Sequence, residues 1–259
     1  GEAWPRVDNE TAGVDPAPFH VKQVRIEYVL DGQPKVSLFR ENDRVRLPER
    51  EPDDDQPVCD LTLDSRGQPR LVAWRDGEWR LDRTAGPPLV RRAQVPSPYV
   101  LEGPWQVRFD PRWGGPTWPV TFGPLDDWAK RPEQDIRYYS GTAVYETSFD
   151  LPTEWAAGPL CLDLGDLSNL AEVALNGREL GIVWKAPWRV DLEGVARPGR
   201  NWLTVRVTNQ WANRLIGDRR LPEAQRIART SLNPYQADSP LQPSGLFGPV
   251  RVVAGVVVK

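Results

Sequence analysis

The sequence predicts an all-β chain, a jelly-roll or similar β-sandwich preceded by a smaller β-rich domain. Three observations carry this. Apolar residues alternate with polar ones at period two along most of the 259 residues, helix-period patterning is scarce, and 27 Pro and 21 Gly interrupt the pattern at short intervals.

The elements follow in order. Val24, Ile26, Tyr28 and Leu30 alternate with polar residues and run into Asp31-Gly32, a strong hairpin signal, after which Val36, Leu38 and the short run Val45-Arg46-Leu47 complete a small meander. Residues 49–57 (Glu-Arg-Glu-Pro-Asp-Asp-Asp-Gln-Pro) form an acidic stretch with nothing to bury, and read as a solvated linker. Leu61 and Leu63, Leu71 and Ala73, and Trp79 and Leu81 predict three more short strands before Pro87, Pro88, Pro96 and Pro98 break the pattern. The main boundary is therefore placed near residue 98, giving a β-rich domain at 1–98, as one module or two, and a sandwich at 99–259. Nine of the twelve tryptophans lie beyond that boundary, so the large aromatic surface belongs to the second domain.

The second domain reads as strands near 105–109, 136–149, 160–164, 170–175, 187–191, 201–208 and 249–258, with a tight turn at Asn176-Gly177. Two segments resist a strand reading, Pro111 to Pro132 and Ala212 to Pro243. Within the second, Glu223 to Arg229 has room for a turn or two of helix. Long irregular segments inside compact domains are uncommon unless they are functional.

Composition removes several function classes. Lys and Arg total 33 against 36 Asp and Glu, for a net charge of −3, and the basic residues form no stripe, so nucleic acid is not an expected partner. No stretch approaches the roughly 18 consecutive apolar residues of a membrane helix, and residue 1 does not open a signal-peptide pattern. The absence of Met suggests a segment excised or processed from a longer polypeptide. Cys59 and Cys161 are too few for a zinc site or a disulfide framework, and are expected as free thiols. Alternation puts Cys59 on an apolar face and Cys161 opposite the neighbouring leucines, hence one thiol buried and the other not.

Catalytic chemistry finds no machine in the sequence. Glycoside hydrolysis needs two carboxylates about 5 to 10 Å apart; of the candidates, Asp163 reads as solvent-facing, Asp166 as a turn cap, and Asp126-Asp127 as a loop or a helix N-cap before Trp128. His20, the one histidine, lies in a Pro-rich N-terminal segment, which discounts a Ser-His-Asp or Cys-His arrangement. Gly114-Gly115 runs into Pro116 and is no phosphate loop.

The tryptophans are more informative, because an exposed indole can stack on the apolar face of a sugar while Asn, Asp and Arg read its hydroxyls. Trp105, Trp155 and Trp202 lie in or beside strands and read as core or sheet-face packing. Trp113 and Trp118 sit in a Gly/Pro-rich loop that is harder to bury. Trp184-Lys185 and Trp188 lead into a strand. The segment from Trp211 to Asp218 combines Trp211, Asn213, Arg214 and Asp218 directly after a strand ending at Asn209. One reading has Arg214 and Asp218 pairing or holding the long loop. The other has this loop, with Asn233, Tyr235 and Asp238, lining a polar concavity at one end of the sandwich.

Several strings recur in a fixed order: Gly-Pro-Trp-Gln-Val at 103–107, Tyr-Tyr-Ser-Gly-Thr-Ala-Val-Tyr at 138–145, Ala-Leu-Asn-Gly-Arg-Glu-Leu-Gly at 174–181, the Trp211 to Asp218 run, Asn233-Pro234-Tyr235, and Pro-Ser-Gly-Leu-Phe-Gly-Pro-Val at 243–250. From Leu101 to Val253 the chain resembles the C-terminal sandwich of glycoside hydrolase family 106, the α-L-rhamnosidase-type enzymes. More distantly it resembles the jelly-roll domain of glycoside hydrolase family 2. The resemblance implies a galactose-binding-like jelly roll in a rhamnosidase-like parent whose catalytic carboxylates sit on a barrel absent from this sequence. It further implies a non-catalytic accessory module that binds carbohydrate, a rhamnose-containing glycan, or completes the parent's active site. Its partners would be that glycan and the parent's catalytic domain, and its location secreted or periplasmic by analogy. Two rivals stand beside it: a purely structural domain packed on the barrel, and a self-sufficient hydrolase. The carbohydrate-facing candidates are Trp184, Lys185, Trp211, Asn213, Arg214, Asp218, Asn233, Tyr235 and Asp238. No cofactor is required, while a structural Ca²⁺ would be admissible at Asp53 to Asp55 or Asp126-Asp127.

Overall fold

A computed structural model describes residues 23–30, 33–40, 59–63, 67, 69–81, 88–155 and 158–258. They fall into two units, Gly1–Gln56 with Leu215–Leu241, and Pro57–Arg214 with Gln242–Lys259. The boundary expected near residue 98 falls inside the larger unit. No helix among the described residues is long and apolar enough to cross a membrane.

In the smaller unit, β1 (Gln23–Leu30) and β2 (Gln33–Arg40) pair antiparallel from Gln23↔Arg40 to Leu30↔Gln33. The Asp31-Gly32 turn expected between them lies outside the described residues. The run at 45–47 and the acidic linker at 49–57, with Asp53 to Asp55, lie outside the described residues, as does His20. Residues 215–241 contain one short 3₁₀ turn, Glu223–Gln225, where a turn or two of helix is expected. This segment has no sheet ladder, and side chains join backbone turns in satisfying its main-chain groups. Arg219 donates to the carbonyls of Tyr235 (2.9 Å) and Asn233 (2.6 Å), Arg226 to that of Asp218 (3.1 Å), and Asp218 Oδ2 accepts from Ala228 N–H (2.7 Å).

The larger unit begins with β3 (Cys59–Leu63), β4 (Pro69–Ala73), β5 (Gly77–Leu81), β6 (Leu89–Ala93), β7 (Tyr99–Val100), β8 (Trp105–Arg108) and β9 (Val120–Phe122). After a single helical turn, α1 (Gln134–Arg137), come β10 (Thr142–Leu151), β11 (Leu160–Asp163), β12 (Asp166–Leu167), β13 (Leu170–Leu175), β14 (Arg178–Val183), β15 (Arg189–Asp191) and β16 (Gly199–Thr208). Helix α2 (Ala212–Asp218) follows, and β17 (Leu246–Gly248), β18 (Arg251–Ala254) and β19 (Val256–Val258) close the chain.

Two antiparallel sheets make the sandwich. Their orders are β14-β13-β16-β10-β8-β9 and β15-β11-β18-β7. The long pair β10 and β16 is in register from Thr142↔Thr208 to Leu151↔Gly199, so Ala143, Tyr145 and Phe149 share a face with Val207, Val205 and Asn201. That face meets Leu160, Leu162, Val190, Val250 and Val252 in one continuous core. The fold is thus all-β, as predicted, with strands that alternate inward and outward. An aromatic cluster fills one end: Phe109 lies edge-on to Trp128 (5.2 Å) and Tyr139 (5.0 Å), and Trp128 stacks on Tyr145 (6.5 Å, 13°). Two of the cluster's polar tips are paired, Trp128 Nε1 donating to Tyr145 Oη (2.6 Å) and Tyr139 Oη to the Thr142 carbonyl (2.9 Å).

Several strands depart from the sequence reading. Residues 136–141 are not strand, because α1 and the bend at Ser140-Gly141 precede β10. Strand β14 was not legible: its pairing with β13 shifts register between Val173 and Ala174, and the bulge breaks the period-two signal. The turn joining them is as expected, with both Asn176 (φ 52°) and Gly177 (φ 81°) left-handed, the conformation of a type I′ hairpin.

The cysteines reverse their expected roles. Both are free, but Cys161 is buried and Cys59 only half-buried. The reason is a further layer: β19 pairs with β4, and β4 with β3, forming a three-stranded sheet. Asp60, Thr62, Arg70 and Trp74 of this layer line a cavity of about 330 Å³ together with Cys161 and Arg189. Arg70 also reaches across to Glu193 in a two-pronged ion pair. Strand β11 is therefore covered on both faces. Asp163 is likewise buried rather than solvent-facing, at 1 % exposure; its Oδ2 accepts from Arg251 (3.1 Å) and Arg189 (3.4 Å), and its Oδ1 from Gly165 N–H (2.9 Å).

Candidate functional site: an aromatic loop end

Strand register brings several loops to one end of the six-stranded sheet. Arg108, at the end of β8, faces Val144 near the start of β10; Thr142, at that start, faces Thr208 at the end of β16. Thr208 in turn faces Leu170 at the start of β13, and Ala171 faces Val183 at the end of β14. The loop joining β8 to β9 and the loops leaving β16 and β14 thus open on the same side. They carry Trp113, Trp211, Trp184 and Trp118, which are 39 %, 52 %, 69 % and 66 % exposed. With adjacent strands about 4.8 Å apart, the five spacings from β14 to β9 spread these loops over roughly 24 Å.

Trp113 is held by its loop. Asp110 caps the 3₁₀ turn Pro111–Trp113, its Oδ1 accepting from Arg112 N–H (2.9 Å), and Gly114 ends the turn at φ 78°. The Arg112 guanidinium binds both Asp110 oxygens, which holds that carboxyl below the usual range. Gly115 lets the loop close onto the core, since a Cβ there would lie 2.5 Å from Phe109 Cβ. Trp113 then meets Trp211 edge to face, with centroids 5.4 Å apart and planes at 75°.

Beneath Trp211 lies a buried polar lattice that the sequence did not reveal. Asn209 donates to the Tyr139 carbonyl (3.0 Å) and to Ser244 Oγ (3.0 Å) and accepts from Gly141 N–H (2.9 Å). Ser140 Oγ donates to the Gln210 carbonyl (2.8 Å) and accepts from Arg214 N–H (3.1 Å). Asp127 caps the 3₁₀ turn Trp128–Lys130, as its position predicts, and Oδ1 also accepts from Ser244 N–H (2.9 Å). It therefore serves as a cap that ties two loops together. Among the described residues no group of three His, Cys, Asp or Glu side chains is placed to hold a metal ion.

The predicted site residues divide between the units. In the larger one, Trp184, Lys185 and Trp211 are exposed, whereas Asn213 and Arg214 are buried. The Asn213 amide is committed internally, donating to the Gln242 carbonyl (2.7 Å) and Ser244 Oγ (3.1 Å) and accepting from Gln242 N–H (2.7 Å). In the smaller one, Asp218 is buried and holds the 215–241 segment, and Asn233 donates to the Leu215 carbonyl (3.0 Å) while accepting from Tyr235 N–H (3.0 Å). Tyr235 is half-buried and Asp238 exposed. Of the other tryptophans, Trp105 is buried, Trp155 and Trp188 pack on the core, and Trp202 points outward.

Comparison with known proteins adds family context. Residues 125–236 match the family described as glycosyl hydrolase 2 galactose-binding domain-like. A curated protein of Formosa agariphila named "Putative beta-glucuronidase" is 34 % identical over 188 residues, covering 61 % of this chain and 16 % of that protein. A solved rhamnosidase from Novosphingobium sp. PP1Y aligns with 88 % of this chain and 19 % of its own, at 31 % identity and a TM-score of 0.56. A solved β-glucuronidase from Ruminococcus gnavus covers 44 % of this chain and 21 % of its own, at 30 % identity and a TM-score of 0.39. The chain thus spans less than a fifth of the length of the first two. It is an all-β protein that carries a glycoside-hydrolase-related, galactose-binding-like domain.

Proposed function

We propose that this chain is the accessory sandwich of a rhamnosidase-like glycoside hydrolase and meets carbohydrate at its aromatic loop end. The observation that carries this reading is the set of exposed indoles gathered at one sheet end, with Trp113 and Trp211 packed edge to face. Indoles fixed in this way offer flat apolar faces to the C–H side of a pyranose. The likeness to the Novosphingobium rhamnosidase, which extends over most of this chain, favours rhamnose as the sugar. Asn213 has a supporting role in this scheme, since its amide positions the backbone under Trp211 and does not read hydroxyls.

The test is titration calorimetry against rhamnose and rhamnose-containing oligosaccharides, with and without Ca²⁺, on the wild type and on Trp211→Ala. Binding by the wild type that weakens at least tenfold in the variant is the expected result. Silence from a well-folded chain would overturn sugar contact. It would instead favour the second reading, in which Trp113, Trp184 and Trp211 anchor the sandwich on a catalytic domain. That reading draws support from the small share of each relative that this chain covers.

A further inference from the structure

The outer face of the six-stranded sheet holds a second surface suited to a ligand. A groove of about 480 Å³ crosses three adjacent strands, lined by Gln106 and Arg108 of β8, Glu146 and Ser148 of β10, and Trp202 and Thr204 of β16. Register explains their grouping: Gln106 faces Glu146, Glu146 faces Thr204, and Ser148 faces Trp202, so all six point away from the core. On the same strand the inward residues Asn201, Leu203, Val205 and Val207 are at most 1 % exposed, while Trp202 is 62 % exposed. The indole therefore adds nothing to the core and presents its area to solvent, in a groove whose other outward-facing strand residues are polar.

The lining is electrically balanced. Arg108 and Glu146 pair with each other, and Gln106 Nε2 donates to Thr121 Oγ1 (3.0 Å). A charged ligand would have to break that ion pair to gain a partner, whereas a polyol can use both its halves, the amide and the hydroxyls as they stand. Three strands at about 4.8 Å spacing span about 10 Å, room for roughly two pyranose rings. Trp202 lies six residues along β16 from Thr208, so at about 3.4 Å per residue it sits roughly 20 Å along the strand from the Trp211 loop, while Arg108 and Pro119 carry the other end of the groove up to the β8–β9 loop. The Trp202 platform is thus distinct from the Trp113 and Trp211 pair, on the same sheet.

We infer that this groove binds a neutral oligosaccharide, with Trp202 as the stacking platform, as a second carbohydrate site beyond the loop end. The experiment uses the purified chain carrying Trp113→Ala and Trp211→Ala, which removes the paired loop-end indoles. Calorimetry and tryptophan fluorescence follow its titration with neutral rhamnose-containing di- to tetrasaccharides and with oligosaccharides bearing uronic acids. Adding Trp202→Ala should weaken neutral-chain binding at least fivefold with an unchanged thermal midpoint, since the side chain is exposed, and Trp202→Phe should retain most of the affinity. Equal affinity with and without Trp202, or binding of uronic-acid chains only, overturns the proposal. Loss of all binding in the double variant, when the wild type binds, overturns it and leaves the loop-end reading standing. Absence of glycan binding by the wild type overturns both, and points to a protein surface covering the groove.

Discussion

Replacing Asp163 by Asn should destabilise the larger unit by about 3–5 kcal/mol, because it removes a buried charge that two half-buried guanidinium groups share. The magnitude follows from the geometry. At an effective dielectric of about 20, contacts of 3.1 and 3.4 Å give gross attractions of about 5 kcal/mol each, offset by several kcal/mol of desolvation per ion and by repulsion between the arginines. Side-chain exposures of 1 %, 12 % and 22 % for Asp163, Arg189 and Arg251 keep solvent screening small. Asn retains an acceptor for Gly165 N–H, so Asp163→Ala should cost a further ~1 kcal/mol. Urea unfolding followed by tryptophan fluorescence measures both. A triple replacement, Asp163→Leu with Arg189→Met and Arg251→Met, should recover most of the loss, since apolar residues of similar volume can replace a buried ionic group. A loss below about 1 kcal/mol in Asp163→Asn would refute the reasoning, for exposed pairs cost no more than that.

Burial pushes the Cys161 thiol up to about 12 from 9.0, with Asp163, Asp191 and Asp60 adding to the rise and Arg189 opposing it. Its contribution to stability is therefore fully present below pH 9.0 and is lost as pH rises through about 12, so unfolding midpoints should fall between pH 8 and pH 10.5. Ellman's reagent at pH 8 should leave Cys161 unmodified until urea unfolds the chain; fast labelling of two thiols in the native state would contradict the covered face of β11. Gly115→Ala should cost about 1–3 kcal/mol, because its Cβ would press on the Phe109 side chain and the Tyr139 ring, and a melting curve superimposable on wild type would count against that close approach.

What the sequence made legible was local. The alternation of Tyr145 and Val205, the Asn176-Gly177 turn and the Asp127 cap all depend on neighbours within a few residues, and each appears where expected. Asp163 failed that reading because its partners lie 26 and 88 residues away, and in Leu160 to Leu164 a charge between leucines looks solvent-facing. Cys161 failed similarly: its cover comes from β3 and β4, about 90 residues earlier, completed by the last strand of the chain. At the loop end, Asn213 had the right chemistry to read a hydroxyl, and only the return of Gln242 and Ser244 shows that its amide is already used. Trp202 was legible as a sheet-face residue but not as an outward one, since the phase of β16 is set by Leu203, Val205 and Val207 against the core.

The polar lattice gives the exposed indoles their mechanical footing. Asp127, Ser140, Asn209, Asn213 and Ser244 come from four separate stretches of chain, are buried, and join those stretches through at least nine hydrogen bonds of 2.7–3.1 Å. A loop fixed in this way has little conformational freedom left to lose when a ligand arrives, so the ordering cost of roughly 0.5–1.5 kcal/mol per immobilised side chain falls on few groups. Trp202 reaches the same condition differently, because its backbone is locked in the ten-residue ladder with β10. Weak stacking contacts can therefore appear as net affinity on both surfaces, whereas the same indoles on a free loop would spend that affinity on becoming ordered.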